Sequence, residues 1–327
     1  IKDTQRPSGQ ICCIAPTGGW GYNWGSGPAW DSLYIYLPYY IYYYTGDMSV
    51  LEQFWESMEL YMGFMESMSE DNTVCFGLGD WCAPDGAEIC PTVITDTAYF
   101  YMDNKIMARC AELLKKDGAQ YAERAKEIKE TFRKKFIEPN FFLNDNTTAI
   151  SCAIYQDLYT VEEKPIAAKH LSDILAQKGY HIDCGILGMK YLFSALSEYG
   201  FADTVYKMCI NPEYPSYANW INNGMTTLCE RWDMKESCNH HMYSEIDMWF
   251  YKHIAGIHIN EGADFVTIKP CFLEGLLWAK ATHKGIEVSW DENCVNIKSN
   301  LCGKLIIGEE ELLFSAGEYS YKRKKQL

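Results

Sequence analysis

The chain has no apolar run long enough to cross a membrane. The longest charge-free stretch, Leu33 to Gly46, is interrupted by Pro38 and crowded with tyrosines, and it falls short of the roughly 18 residues a span requires. Positive charge is scarce as well. Against 44 Asp and Glu there are 29 Lys and Arg, which leaves a net charge of −15 and an isoelectric point near 4.9. Such a surface repels phosphate backbones and anionic lipid, so no nucleic acid and no membrane is expected as a partner, and the ligand is expected to be neutral or cationic. The 14 cysteines include no C-x-x-C pair, and Cys75, Cys82 and Cys90 are too widely separated to suggest a structural zinc site. No metal and no cofactor is expected. The thiols read as reduced, half-buried core residues, which tilts the expected location to the cytoplasm. No short repeat recurs along the chain, which disfavours a solenoid with a fixed motif. There is no initiating Met or signal peptide before Ile1, so the chain reads as a piece of something longer.

What the chain does have is 327 residues with 48% hydrophobic content, enough for a large core. Val50, Phe54, Met58, Tyr61, Met62, Met65 and Met68 recur at helical spacing, which predicts an amphipathic helix over Ser49 to Ser69 with Ser49 as its N-cap. Ile35 to Tyr44 is apolar on every side, so as a helix it must be surrounded by protein, with Pro38 tolerated in its first turn. Further helices are predicted over Thr97 to Leu114, Ala119 to Phe136, Thr148 to Leu158, Val161 to Lys178, Gly185 to Glu198, Ala202 to Asn211 and Asp247 to Ile257. Helices therefore come in consecutive pairs. From His258 the texture changes to short alternating runs such as Phe265-Val266-Thr267-Ile268 and Ile286-Glu287-Val288-Ser289-Trp290, which read as strands. The expectation is a mainly α domain over 1–257 followed by a small antiparallel β domain over 258–327. Uncharged helices alternating with amphipathic ones favour concentric rings over a simple bundle, although periodicity alone cannot close a ring.

The candidate chemistry gathers in loops. Gly224 to His241 contains Glu230, Arg231, Trp232, Asn239 and His240. Three other loops share its character: Gly18 to Gly25 leading into Pro28-Ala29-Trp30-Asp31, Gly77-Leu78-Gly79-Asp80-Trp81, and Tyr214-Pro215-Ser216-Tyr217. Aromatic faces suit the C–H surfaces of a sugar, carboxylates accept hydrogen bonds from its hydroxyls, and glycine lets the backbone approach closely. Each residue also has a plain reading. Trp30 and Trp81 could plug the core, Asp31 could cap a helix, Asp80 could form a turn, and Glu230 could pair with Arg231 or Lys235 on a solvated face.

Taken in order, D-T-Q-R-P-S-G, G-P-A-W-D-S, G-L-G-D-W, Y-P-S-Y, G-M-T-T-L-C-E-R-W-D and S-C-N-H-H-M-Y resemble the bacterial α-L-rhamnosidases of glycoside hydrolase family 78, from about Asp3 to Trp290. The resemblance implies an (α/α)6 toroid followed by a β-sandwich-like domain. It also implies an inverting hydrolysis of rhamnose-containing glycosides, with Glu230 as general base. Trp30, Asp31, Asp80, Trp81, Trp232 and His240 are then expected to meet around the sugar, with His240 binding a hydroxyl and transferring no proton. A homodimer is compatible with the family.

Two departures accompany the resemblance. The family carries its general acid in a string D-x-P-x-R-x-E-x-L-G-W, upstream of the segment that matches Asp3 to Gly9, and nothing in this chain matches it. The toroid is therefore expected to lack its first part, or the acid has been lost and the protein binds glycan without turnover. The start at Ile1 favours the former. Tyr217, Cys229 and His241 stand where the family more often has aromatics of other kinds, which leaves the identity of the sugar open. Another chemistry on the same toroid is a third reading, because fold does not determine function.

Overall fold

The helices follow the apolar spacing, with boundaries shifted by a few residues at their ends. The structure is a computed structural model and describes residues 1–16, 21–22 and 26–323. Its helices are α1 (Pro28–Asp31), α2 (Leu33–Thr45), α3 (Ser49–Ser67), α4 (Thr92–Leu113), α5 (Ala119–Phe132), α6 (Thr147–Tyr155), α7 (Glu163–Gln177), α8 (Ile186–Ser197), α9 (Ala202–Ile210), α10 (Tyr217–Asn222) and α11 (Glu245–Trp249). A π turn prolongs α5 over Arg133–Ile137 and another prolongs α11 over Phe250–Ile254.

Burial divides these helices into two layers. Every residue of α6 from Thr147 to Ile154 is buried, and α8 is buried at nearly all positions. By contrast α5 buries only Tyr121, Ala125, Ile128 and Phe132, a stripe along one side. The inner helices α2, α4, α6, α8 and α11 pack on one another in chain order, and α3, α5, α7 and α9 each cover the inner helix before them. This is the alternation of a ring within a ring. The contact between α6 and α8 is close enough to need glycine: a Cβ at Gly188 would lie 2.4 Å from Thr148 Oγ1.

The expectation for Ile35 to Tyr44 needs correction. The segment is helical from Leu33, but it is not enclosed: Leu33, Leu37, Ile41 and Tyr44 are exposed, at 52%, 45%, 36% and 41%. These positions fall on one face of the helix. Neighbours α3 and α4 cover the other sides, and no helix packs on this face among the described residues. Pro38 lies in the helix interior, not its first turn.

The β region begins with β1 (Ile257–Ile259), one residue before the expected boundary, and continues through β2 (Phe265–Ile268), β3 (Ala279–His283), β4 (Ile286–Trp290), β5 (Cys294–Ser299), β6 (Cys302–Ile307), β7 (Glu310–Phe314) and β8 (Gly317–Lys322). Two four-stranded sheets form, ordered β1-β2-β6-β7 and β3-β4-β5-β8. Pairing is antiparallel except that β2 and β6 run parallel, with Phe265 opposite Cys302, so the β region is antiparallel-rich, as expected. Alternation turns Ile286, Val288 and Trp290 inward with Val295 and Ile297. The Trp290 indole N–H donates to the Ile254 carbonyl at 2.9 Å, and Arg109 of α4 pairs with Glu261 at 2.9 Å. Both contacts fasten the sheets to the helical ring.

Candidate active site

The loop holding Asp80 and Trp81 precedes inner helix α4, and the loop holding Glu230 and His240 precedes inner helix α11. The Asp80 loop is laced to the segment that leads into α1. The Leu78 N–H donates to the Ser26 carbonyl at 2.8 Å, and the Trp30 indole N–H donates to the Leu78 carbonyl at 3.0 Å. This approach requires glycine on both sides: Gly77 has φ +78, a Cβ there would sit 1.5 Å from the Ser26 oxygen, and one on Gly27 would meet the Phe76 oxygen at 2.5 Å.

Asp80 ties that pair of loops to α8. Its Oδ2 accepts from the Gly185 N–H at 2.9 Å and the Thr148 hydroxyl at 2.5 Å, and its Oδ1 accepts from the N–H groups of Leu187 at 2.8 Å and Gly188 at 3.2 Å. The first N–H groups of a helix have no partner within it, and Asp80 supplies one from a residue 105 positions earlier. Burial raises its pKa against the opposing pull of those four bonds. Expected as a sugar ligand, Asp80 is 6% exposed with both oxygens engaged, so its position is that of a helix cap. Asp31 is likewise buried, and its Oδ2 accepts from the Ser26 hydroxyl at 3.0 Å and the Gly27 N–H at 3.3 Å. Burial pushes its carboxyl up to about 7. Next to Asp80, the Trp81 carbonyl accepts from the Ile186 N–H at 2.9 Å, while the Trp81 side chain is 42% exposed.

Glu230 stands on a hairpin. Its N–H donates to the Ser237 carbonyl at 2.8 Å, and the His240 N–H donates to the Leu228 carbonyl at 2.9 Å. Arg231, Asp233 and Lys235 hold the tip, with the Lys235 ammonium 3.0 Å and the Arg231 Nε 3.6 Å from Asp233. The hairpin is anchored by Trp232. That ring is 1% exposed, stacks on Trp220 at 4.5 Å and lies 4.3 Å from Tyr243, and its carbonyl accepts the Trp220 indole N–H at 2.9 Å. Trp232 was expected to contact sugar; the structure corrects this, because its faces are already covered by other rings. Glu230, two residues before this buried anchor, is half-buried, and its Oε2 accepts the Ser237 N–H at 3.4 Å.

The hairpin and the Asp80 loop meet. The Tyr243 hydroxyl donates to the Cys82 carbonyl, and the charges of Arg231 and Glu230 both act on the Cys82 thiol, whose pKa is raised chiefly by burial. His240 accepts the Met242 N–H at Nδ1, 3.0 Å away, and its ring stacks on His241 at 5.1 Å. This fixes the remaining ring proton on Nε2, where it can be donated to a ligand oxygen. The Glu230 charge thus reaches Cys82, next to the exposed Trp81, and His240 stands on the strand facing Glu230's own, whereas Asp31, Asp80 and Trp232 are buried. Trp30 is half-buried with its N–H occupied. Trp20, Asn23 and Trp24 of the first aromatic loop lie outside the described residues. Among the described residues no group of three or more His, Cys, Asp or Glu side chains is arranged to hold a metal.

Residues 1–254 match the bacterial α-L-rhamnosidase six-hairpin glycosidase domain. The chain belongs to this family. It is 29% identical to an α-L-rhamnosidase of Alteromonas sp. (strain LOR), over 89% of this chain and 35% of that protein. It superposes on the α-L-rhamnosidase of Dictyoglumus thermophilum with a TM-score of 0.87 and 29% identity, covering 99% of this chain and 42% of that one. The Streptomyces avermitilis α-L-rhamnosidase, solved with L-rhamnose, shares the fold at a TM-score of 0.91 and 23% identity, over 99% of this chain and 35% of that one. The chain spans about a third of the length of the curated rhamnosidases it matches.

One cavity of this rhamnosidase-family domain is not lined by Glu230. It measures about 860 Å³ and is lined by Tyr36, Tyr40 and Tyr44 of α2, Lys190 of α8 and Glu245 of α11. Inner helices α2, α4, α8 and α11 all contribute to its lining. The Lys190 ammonium donates to the Tyr99 hydroxyl at 3.3 Å and lies 5.2 Å from the Tyr36 ring. Sequence reasoning passed over Lys190, yet a signal was present: it is the lone charge within an otherwise uncharged helix.

Proposed function

We propose that this chain carries the larger part of the catalytic toroid of an inverting glycoside hydrolase that releases terminal α-L-rhamnose. The observation that supports it best is the hairpin over 228–240, where a buried tryptophan stack anchors a half-buried carboxylate with His240 on the facing strand. In this reading Glu230 is the general base. It removes a proton from the water that attacks the anomeric carbon, on the face opposite the departing group. The general acid belongs to the acidic string that the family places ahead of the Asp3–Gly9 motif, and inversion requires the two carboxyls to stand roughly 6.5–9.5 Å apart with water between them. His240 Nε2–H donates to a ring hydroxyl, and Trp81 covers a C–H face of the sugar.

The test is hydrolysis of an aryl α-L-rhamnoside by the complete protein, with the configuration of the newly released sugar read by NMR. Glu230→Gln is expected to lower kcat by about 10²–10⁴-fold with an unchanged unfolding midpoint. Undiminished turnover by this variant would remove Glu230 from the mechanism, and release of the sugar with retained configuration would refute inversion. Saccharide binding without any hydrolysis by the complete protein would favour a glycan-binding role.

A further inference from the structure

We propose that Cys229 and Cys238 form a reversible disulfide across the hairpin that carries Glu230 and His240, a modification site that reports the thiol redox state to the sugar site. The proposal rests on the reading of Glu230 as catalytic only for its effect on turnover; the cross-link itself rests on geometry. Two backbone bonds bracket the pair, Glu230 N–H to Ser237 carbonyl at 2.8 Å and His240 N–H to Leu228 carbonyl at 2.9 Å. Between those rungs Cys229 faces Cys238, and burial, with the neighbouring Cys238 thiol, pushes Cys229 up to about 11. The Thr227 hydroxyl also donates to the Cys238 carbonyl, holding the second strand against the first. Cys238 is exposed and Cys229 is buried, so one thiol meets a solution oxidant and the other waits behind it.

The chemistry balances with a low-molecular-weight disulfide as oxidant. The Cys238 thiolate attacks one sulfur of oxidised glutathione, forming a mixed disulfide and expelling one glutathione thiolate. Cys229 Sγ, as thiolate, then attacks Cys238 Sγ and expels the second. The two cysteine protons end on the two glutathione thiols, and the protein pair is oxidised by two electrons. The rungs span unequal lengths, two residue steps from Leu228 to Glu230 and three from Ser237 to His240, so the second strand is bulged at Cys238 and Asn239. A disulfide needs its Cβ atoms about 3.8 Å apart. Drawing the bulge in shifts the residue next to Cys229, which is Glu230, and a displacement of about 1 Å at a reacting group costs about 10²-fold in rate.

The experiment equilibrates the complete protein with oxidised glutathione or with dithiothreitol. Peptide mass mapping then reads the modification, and rhamnoside turnover reads the coupling. The expected result is a 229–238 linked peptide lighter by two hydrogens, reversed by dithiothreitol, together with a tenfold to hundredfold reversible loss of kcat. Cys238→Ser is expected to keep the turnover of the reduced protein and lose the response. If both thiols remain alkylatable after oxidation, or Cys238 stops at the glutathione adduct, the disulfide is refuted. If the link forms and an active enzyme turns over unchanged, its coupling to the site is refuted. If the reduced protein has no rhamnosidase activity, the function proposed above fails while the mass map still decides the disulfide.

Discussion

Replacing Asp80 separates two roles that the sequence left open. A cap on α8 and a sugar ligand predict different losses. In Asp80→Ala the N–H groups of Gly185, Leu187 and Gly188 and the hydroxyl of Thr148 all lose their acceptor. Each buried donor left unsatisfied costs about 1–3 kcal/mol, and removing an N-cap alone costs about 1 kcal/mol. Relief from burying a carboxylate, visible in its raised pKa, offsets part of this. The net expectation is a loss of about 4 kcal/mol in unfolding free energy, read by urea titration followed by circular dichroism. Asp80→Asn keeps one acceptor oxygen, enough for Leu187 and Gly188, and is expected to lose about 2 kcal/mol. A change below about 1 kcal/mol in the alanine variant, with an unaltered dependence on urea, would refute the capping role. Unchanged stability with lost sugar binding would return Asp80 to the ligand surface.

Other expectations separate in the same way. Trp232→Ala removes a ring that is 1% exposed and should cost about 3–5 kcal/mol, whereas Trp81→Ala should change stability by less than about 1 kcal/mol and weaken saccharide binding, as measured by calorimetry. Stability should fall as pH rises through the neutral range. Burial raises Asp31 to about 7 and Asp96 to about 8 from 3.8, so between these values the folded chain holds protons that the unfolded chain has released, and the stabilisation is lost as pH climbs through the folded pKa. The buried His253 and half-buried His258 are lowered to about 2 and about 4, so they act in the opposite sense, but only below the unfolded value of 6.5. Between pH 7 and 8 these aspartates, with Glu245 raised by burial to about 7, should therefore dominate, with a slope of about 1–2 kcal/mol per pH unit that Asp96→Asn reduces. A flat profile in that window, measured by thermal unfolding, would refute it. On the open face of α2, Leu37→Gln should alter the stability of this chain by less than about 0.5 kcal/mol, in contrast to the several kcal/mol expected at an enclosed core position.

Helix identity, pairing and the change to strands were legible because they are local. A stripe such as Tyr121, Ala125, Ile128 and Phe132 is visible in the order of residues alone, and so is the alternation of Ile286, Val288 and Trp290. The ordered motifs located the loops that converge near Glu230. Side-chain roles within those motifs were less legible. Asp80 and Trp232 carry the residue types expected of a sugar site, but one meets its helix 105 residues later and the other is enclosed by Trp220 and Tyr243.

The amino-acid order by itself determined the two-layer helical alternation, the β region and the place of Glu230 among aromatic loops, since periodicity and glycine-permitted turns act over a few residues. Only the tertiary structure decided which polar groups face outward. A carboxylate or an indole looks the same in sequence whether its neighbours are water, a ligand or a helix end. Here three-dimensional packing left Glu230, Trp81 and His240 at least partly exposed and buried Asp31, Asp80 and Trp232. The exposed face of α2 and the cavity around Lys190 were set in the same way, by which neighbours the ring supplies.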